Sequence, residues 1–304
     1  MDHKEILASL SSEQRRHLCA QSDGPGLLRI AVHFGLILLF GALIVVGGPW
    51  AWLFMPIQGV LLVFLFTALH ETIHGTAFRT SWLNTWVANA CSFLVILPSQ
   101  EFRYFHFAHH RYTHDPDKDP ELAGGKPDTR LKLLVYLTGL PEWYWRLKNI
   151  FKNAFLPISS DYVPTRGRAR VALEARVFLA LYAVLAGLSS AIGTTALLWA
   201  WILPLILGNP FLRAYLLAEH SFCPHVADML QNTRKTFTNR LVRWIAWNMP
   251  YHIEHHAYPS VPFHKLPEFH DILRGHHGET ENGYARFTHR YFEDPKTGRP
   301  LNAG

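Results

Sequence analysis

From Ile30 to His70 the chain reads IAVHFGLILLFGALIVVGGPWAWLFMPIQGVLLVFLFTALH, without a single Asp, Glu, Lys or Arg. A helix rises about 1.5 Å per residue, so about 20 apolar residues cross the hydrocarbon core of a bilayer. This stretch is long enough to cross twice, and it breaks at Gly47, Gly48 and Pro49, where a tight turn fits between two spans. Val177 to Leu212 repeats the pattern, with the small residues Ser189 to Thr195 as its turn. The expected fold is an all-α integral membrane protein, one domain over 1–304, with spans at 28–47, 50–70, 175–192 and 194–217 paired as two hairpins. Residues 71–174 and 218–304 are left to form a helical cap.

Charge placement orients this arrangement. Arg29, Arg79, Arg103, Arg111, Lys118, Arg166, Arg168, Arg170, Arg176, Arg213, Arg234, Lys235, Arg240 and Arg243 all flank the same ends of the spans. By the positive-inside rule those ends, both termini and the cap are expected in the cytoplasm, and the host is an inner or plasma membrane. The first 29 residues carry Asp2, Lys4, Glu5, Glu13, Arg15 and Arg16 around no apolar core, which argues against a cleaved leader. Trp82 to Pro98 is apolar but short and contains Asn84 and Asn89, so it reads as an interfacial or re-entrant helix, with a fifth span as the alternative. Only 17% of residues are charged, against about 25% in an ordinary soluble domain. The net charge of +6 suits anionic lipid or an acidic partner, and no basic run has the spacing of a nucleic-acid motif. Cys19, Cys91 and Cys223 lack metal-site spacing, and no disulfide is expected on a reducing face.

The charge-free stretch ends on the first of three histidine clusters: His70 and His74 in HETIH, His106, His109 and His110 in HFAHH, and His252, His255 and His256 in HIEHH. Residues three and four apart share a helix face, so each cluster aims its imidazoles at a common point, whereas adjacent histidines diverge by about 100° and can feed two neighbouring sites. Eight clustered ligands exceed the roughly four that one zinc or copper takes, which points to two metals. Without metal or dense hydrogen bonding, burying so many ring nitrogens would cost several kcal/mol. His3, His17, His33, His276, His277 and His289 stand alone and read as surface or structural residues. HETIH also fits the zinc-protease pattern H-E-x-x-H, with Glu71 as general base, but that reading leaves the other two clusters unexplained. A non-enzymatic metal-binding membrane protein is a further alternative.

In this order, with an apolar hairpin between the second and third, the clusters resemble the three histidine boxes of the membrane fatty acid desaturase and hydroxylase superfamily over about Leu61 to Pro267. The run HIEHHAYPSVPFHKLPEFH, His252 to His270, is especially similar to the acyl-lipid desaturase branch. The resemblance implies a non-haem centre of two Fe ions, dioxygen as oxidant, a lipid or fatty acyl substrate and electrons from outside. It also implies a ninth ligand just after the last span, where His220 stands, with His225 as runner-up. Some members carry a water-holding asparagine four residues earlier; here that position is Leu216. The first box has its histidines four apart, which favours a lipid-type substrate over a coenzyme A thioester.

Ligating imidazoles usually give their second N–H to a carboxylate or carbonyl, so Glu71, Glu101, Asp115, Glu219 and Glu254, beside the boxes, are expected to orient them, as are His114 and His264. Spans rich in Trp, Phe and Leu are expected to hold an alkyl chain in a tunnel ending at the irons. Loss of a second hydrogen gives an alkene and return of oxygen gives an alcohol, so the alternative to a desaturase is a hydroxylase or ketolase of a lipid, carotenoid or small amphiphile. No haem, flavin or iron–sulfur pattern is present, so a ferredoxin and its reductase are expected to deliver electrons, docking near Arg234, Lys235, Arg240 and Arg243.

Overall fold

The computed structural model describes residues 1–298; residues 299–304 of the expected cap lie outside it. Among the described residues four helical stretches are long and apolar enough to cross a membrane: Ser12–Val46, Gly48–His74, Thr165–Ala191 and Leu198–His220. α1 (His3–Ser9) precedes the first, which contains α2 (Ser12–Leu18) and the long apolar rod α3 (Asp23–Val46). It turns through Gly48, at φ 53°, into α4 (Ala51–His74). The second pair is α9 (Thr165–Ala191) and α10 (Leu203–His220), the latter entered through a π turn at Leu198–Ile202. Leu38, Leu39, Val45 and Val46 on α3 and Leu181, Val184 and Leu188 on α9 face outward, an apolar belt that suits lipid and not water.

α4 is the central helix. It packs on α3, α5 and α10, and it crosses α10 where Gly59 meets Gly208. A Cβ on either glycine would overlap the other's backbone, so only glycine permits this approach. α4 ends at Gly75, whose left-handed φ of 76° lets its N–H bond to the Thr72 carbonyl and releases the chain from the membrane just after the first box.

The cap begins with α5 (Ser81–Leu94) and α6 (Ser99–Tyr112) and continues with α7 (Arg130–Thr138) and α8 (Leu140–Phe155). At 14 residues α5 is about 21 Å long, too short to cross, and it presents Trp82 and Trp86 outward like an interfacial helix. α8 buries Arg146, Ile150 and Asn153 and exposes Tyr144, Trp145, Phe151 and Phe155, an aromatic face of the kind found at headgroup level.

After α10 come α11 (Met229–Asn232), β1 (Arg234–Phe237), α12 (Arg240–Ile245), α13 (His252–Ala257), α14 (Leu266–Leu273), β2 (Glu279–Asn282) and α15 (Tyr284–Glu293). The fold is mostly helical as expected, with one addition: β1 and β2 pair in parallel, Arg234 opposite Glu279 and Phe237 opposite Asn282. This pairing corrects the expected docking patch. Arg234 and Lys235 are 1% and 2% exposed, because Arg234 ties the end of α10 through the Ala218 and Ser221 carbonyls and Lys235 turns in to Glu254. Arg243 is half-buried with its guanidinium on the Tyr251 hydroxyl, and Arg240 alone of the four is exposed.

Candidate metal centre

His70 and His74 sit one turn apart at the end of α4, His106 and His110 one turn apart on α6, and His255 on α13. These five offer ring nitrogens that all lie within 4.8 Å of one another. Nε2 of His106 is 2.9 Å from those of His74 and His110, and Nε2 of His255 is 3.1 Å from that of His110. His109, His220 and His256 form a second group within the same 4.8 Å limit, and Nε2 of His252 is 3.1 Å from that of His220. Adjacent residues on a helix diverge by about 100°, so His109 and His110, like His255 and His256, go to different groups. The stacked His110 and His256 rings, 4.1 Å apart, join the two. All nine expected histidines are thus brought together.

Tautomers can be assigned in the second group. Nδ1 of His109 is 3.0 Å from Asp119 Oδ1, and a carboxylate only accepts, so Nδ1 carries the proton. Nδ1 of His220 donates to the Asn232 carbonyl at 3.3 Å. The Thr113 hydroxyl donates to the His109 carbonyl and so accepts from Nδ1 of His256 at 3.3 Å. Each ring therefore presents a bare Nε2, and those of His109 and His220 face each other at 3.2 Å. Two lone pairs at that distance repel unless a proton or a metal ion lies between them. In the first group both nitrogens of His70 and Nδ1 of His110 and His255 have no partner, and Nε2 of His256 is likewise unpartnered in the second. Orphaned, convergent ring nitrogens fit a transition metal.

Burial, then mutual repulsion, holds His106, His110, His255 and His256 well below the usual imidazole pKa, and His252 at about 3, so these rings are in the neutral form that binds metal. At His109 burial opposes the charged form, but Glu121 and Asp119 outweigh it and raise the pKa. Positive charge is most welcome there.

The neighbouring residues divide. His114, at a left-handed φ of 64°, donates Nδ1–H to the Pro224 carbonyl and sets its ring 5.5 Å from that of His220. Glu219 Oε1 is 3.5 Å from Nδ1 of His252. The other expected orienters do not meet a box ring. Glu71 Oε1 accepts from the Thr76 hydroxyl and the Phe263 N–H, which fastens the loop after α13 to α4. Glu254 points away from its neighbours His252 and His255, to His270, His277 and Lys235, and their contacts overcome burial to hold its pKa at about 2. Lys235 already supplies a cation to that group. Glu101 meets Tyr162, Asp115 pairs with Lys118, and His264 packs on Phe263. His225 lies against His114 at 4.9 Å, away from the Nε2 cluster. Sequence reading missed Asp119, Glu121, Thr113 and Asn232; the nearest signal was the acidic run after HFAHH.

Beside the second group a cleft of about 810 Å³ opens on the cap, walled by Leu131, Val135 and Tyr136 of α7 and based on Lys126, Arg213 and His225. Lys126 reaches Glu121 at 2.7 Å, and Glu121 Oε2 is 3.5 Å from Nε2 of His109, so one carboxylate separates cleft from cluster.

Four apolar helices ending in a double histidine cage able to hold metal define a class of membrane oxidoreductase. The fatty acid desaturase family model matches residues 26–290, and the chain belongs to this family. It is a fatty acid desaturase-like oxidoreductase acting on lipids. The chain is 27% identical over 260 residues to the sphingolipid delta(4)-desaturase/C4-monooxygenase DES2 of Mus musculus, covering 80% of this chain and 74% of that one. It is 21% identical over 254 residues to an sn-1 oleoyl-lipid 12-desaturase of Picosynechococcus sp., covering 76% and 72%. It is 26% identical over 166 residues to an sn-1 acyl-lipid omega-3 desaturase (ferredoxin) of Nostoc sp., covering 50% and 44%.

Proposed function

We propose that the chain is a di-iron enzyme that uses dioxygen to desaturate an alkyl chain of a membrane lipid. The convergence of nine imidazoles into two adjoining groups carries this reading, with Nε2 of His109 and of His220 facing each other where an ion would sit. His70, His74, His106, His110 and His255 would hold one iron, and His109, His220, His252 and His256 the other. Bound iron with dioxygen supplies the oxidising power that an unactivated C–H bond demands. One dioxygen takes two hydrogens from the substrate and two electrons with two protons from outside, leaving an alkene and two waters. The protein's residues position and exclude water: Asp119, Asn232 and Thr113 fix the ring tautomers, and the cleft at Lys126 and Arg213 takes the polar head of the lipid while α7 and α8 border its path from the headgroup layer.

Hydroxylation is the second reading, favoured by the mouse relative whose name carries both desaturase and monooxygenase activities. The cap, with residues 71–174 and the described part of 218–304, faces the cytoplasm in this reading. There an acidic ferredoxin type of donor meets the outer face of α6, where exposed Arg103 and Arg111 flank Phe107, 37% exposed and 5.4 Å from the His74 ring.

The deciding experiment expresses the chain in a host lacking unsaturated lipids and weighs the lipids. Loss of about two mass units from an alkyl chain supports desaturation and gain of about sixteen supports hydroxylation. A purified protein fully loaded with zinc, and no dioxygen-dependent change in any lipid, would sink the proposal.

A further inference from the structure

We infer that Glu121 donates a carboxylate oxygen to the metal of the second group, making it a site of four imidazoles and one carboxylate. The inference rests on the di-iron reading above. Asp119 holds the Nδ1 proton of His109, so in the neutral, metal-binding form of the ring Nε2 is a bare acceptor. It faces two other acceptors, Nε2 of His220 at 3.2 Å and Oε2 of Glu121 at 3.5 Å. With the ring neutral, these facing lone pairs need a positive ion beside them, and the same carboxylates that favour positive charge at His109 favour a metal ion there.

Glu121 is built into this place. It stands in the turn Pro120–Leu122, capped by Asp119, whose Oδ1 accepts the Glu121 N–H at 3.0 Å while also reaching His109. One side chain therefore sets both the ring and the carboxylate. The second oxygen, Oε1, is taken by Lys126 at 2.7 Å, which leaves Oε2 to the cluster. In a cage of neutral imidazoles a carboxylate also offsets the charge of the ion. Among the described residues the tightest set in each group is imidazole only, and Glu121 approaches the second set at His109, so under this inference the two metals differ: one is held by nitrogen alone and the other by nitrogen and oxygen. Because Lys126 lines the cleft, the oxygen-bound metal is the one that senses what enters.

The test is Mössbauer spectroscopy and iron counting on detergent-purified protein loaded with iron-57. Wild type should give two resolved iron environments. Glu121→Gln, nearly the same shape, should shift or lose one of them and weaken that iron's hold at least tenfold against a chelator, leaving the other unchanged. Glu121→Asp should shift the same signal, because its oxygen is withdrawn by one methylene. Lys126→Met removes the ion-pair partner and keeps the carboxylate, so both environments should persist. Unchanged spectra in Glu121→Gln overturn the inference, as does a Lys126→Met spectrum identical to that of Glu121→Gln, which would make Glu121 a partner of the lysine only. A wild-type protein that takes up no iron defeats the di-iron reading itself.

Discussion

Asp119 binds three groups at once: its oxygens take Nδ1 of His109 and the backbone N–H groups of Glu121 and His114. An amide in its place accepts through one atom only. Asp119→Asn is expected to weaken metal binding in the second group roughly 10–100-fold, read by chelator competition, with the first group spared. Glu254 anchors the third box from behind. Its pKa, lowered to about 2, means that its stabilisation is whole above the ordinary carboxylate value near 4.5 and fades as pH falls toward 2. Glu254→Gln should remove that dependence and cost on the order of 3 kcal/mol near neutral pH, measured as a lowered unfolding temperature in detergent. The box histidines were legible because spacing of three and four along a helix is a local fact. Asp119 and Glu121 were not, since they reach His109 only when the chain after Tyr112 folds back, and Glu254 misled because helix neighbours point about 100° apart.

Among the elements, the crossing of α4 on α10 at Gly59 and Gly208 sets how close two of the four histidine-bearing helices of the cage come. Gly208→Val should force the helices apart and destabilise the protein by about 1–3 kcal/mol or more, with loss of iron in proportion, as seen by thermal unfolding and metal analysis. The long helices were readable from uncharged runs and the turns from Gly and Ser. The β1–β2 pair was not, because four residues are too few to show alternation and the partner lies more than 40 positions away. Hence Arg234 and Lys235 looked like surface charge when both are buried cations serving the site.

For the whole molecule, cysteine labelling at Gly48 and Gly193 should succeed from outside the cell, and at Asp128 only from the cytoplasm. Labelling of Asp128 from outside would refute the orientation. Reversal of charge on α6, Arg103→Glu with Arg111→Glu, should slow turnover with a ferredoxin donor in a salt-dependent manner and leave iron content intact; equal turnover at low salt would move the docking face elsewhere. The parallel pairing of β1 with β2 bears on a different matter, the making of the chain. A ribosome delivers the first and second boxes long before the third, and the strand that steadies β1 beside Glu254 emerges only with Glu279–Asn282. The ligand set is therefore incomplete until the third box and the strand behind it have been made, long after the four apolar helices have left the ribosome.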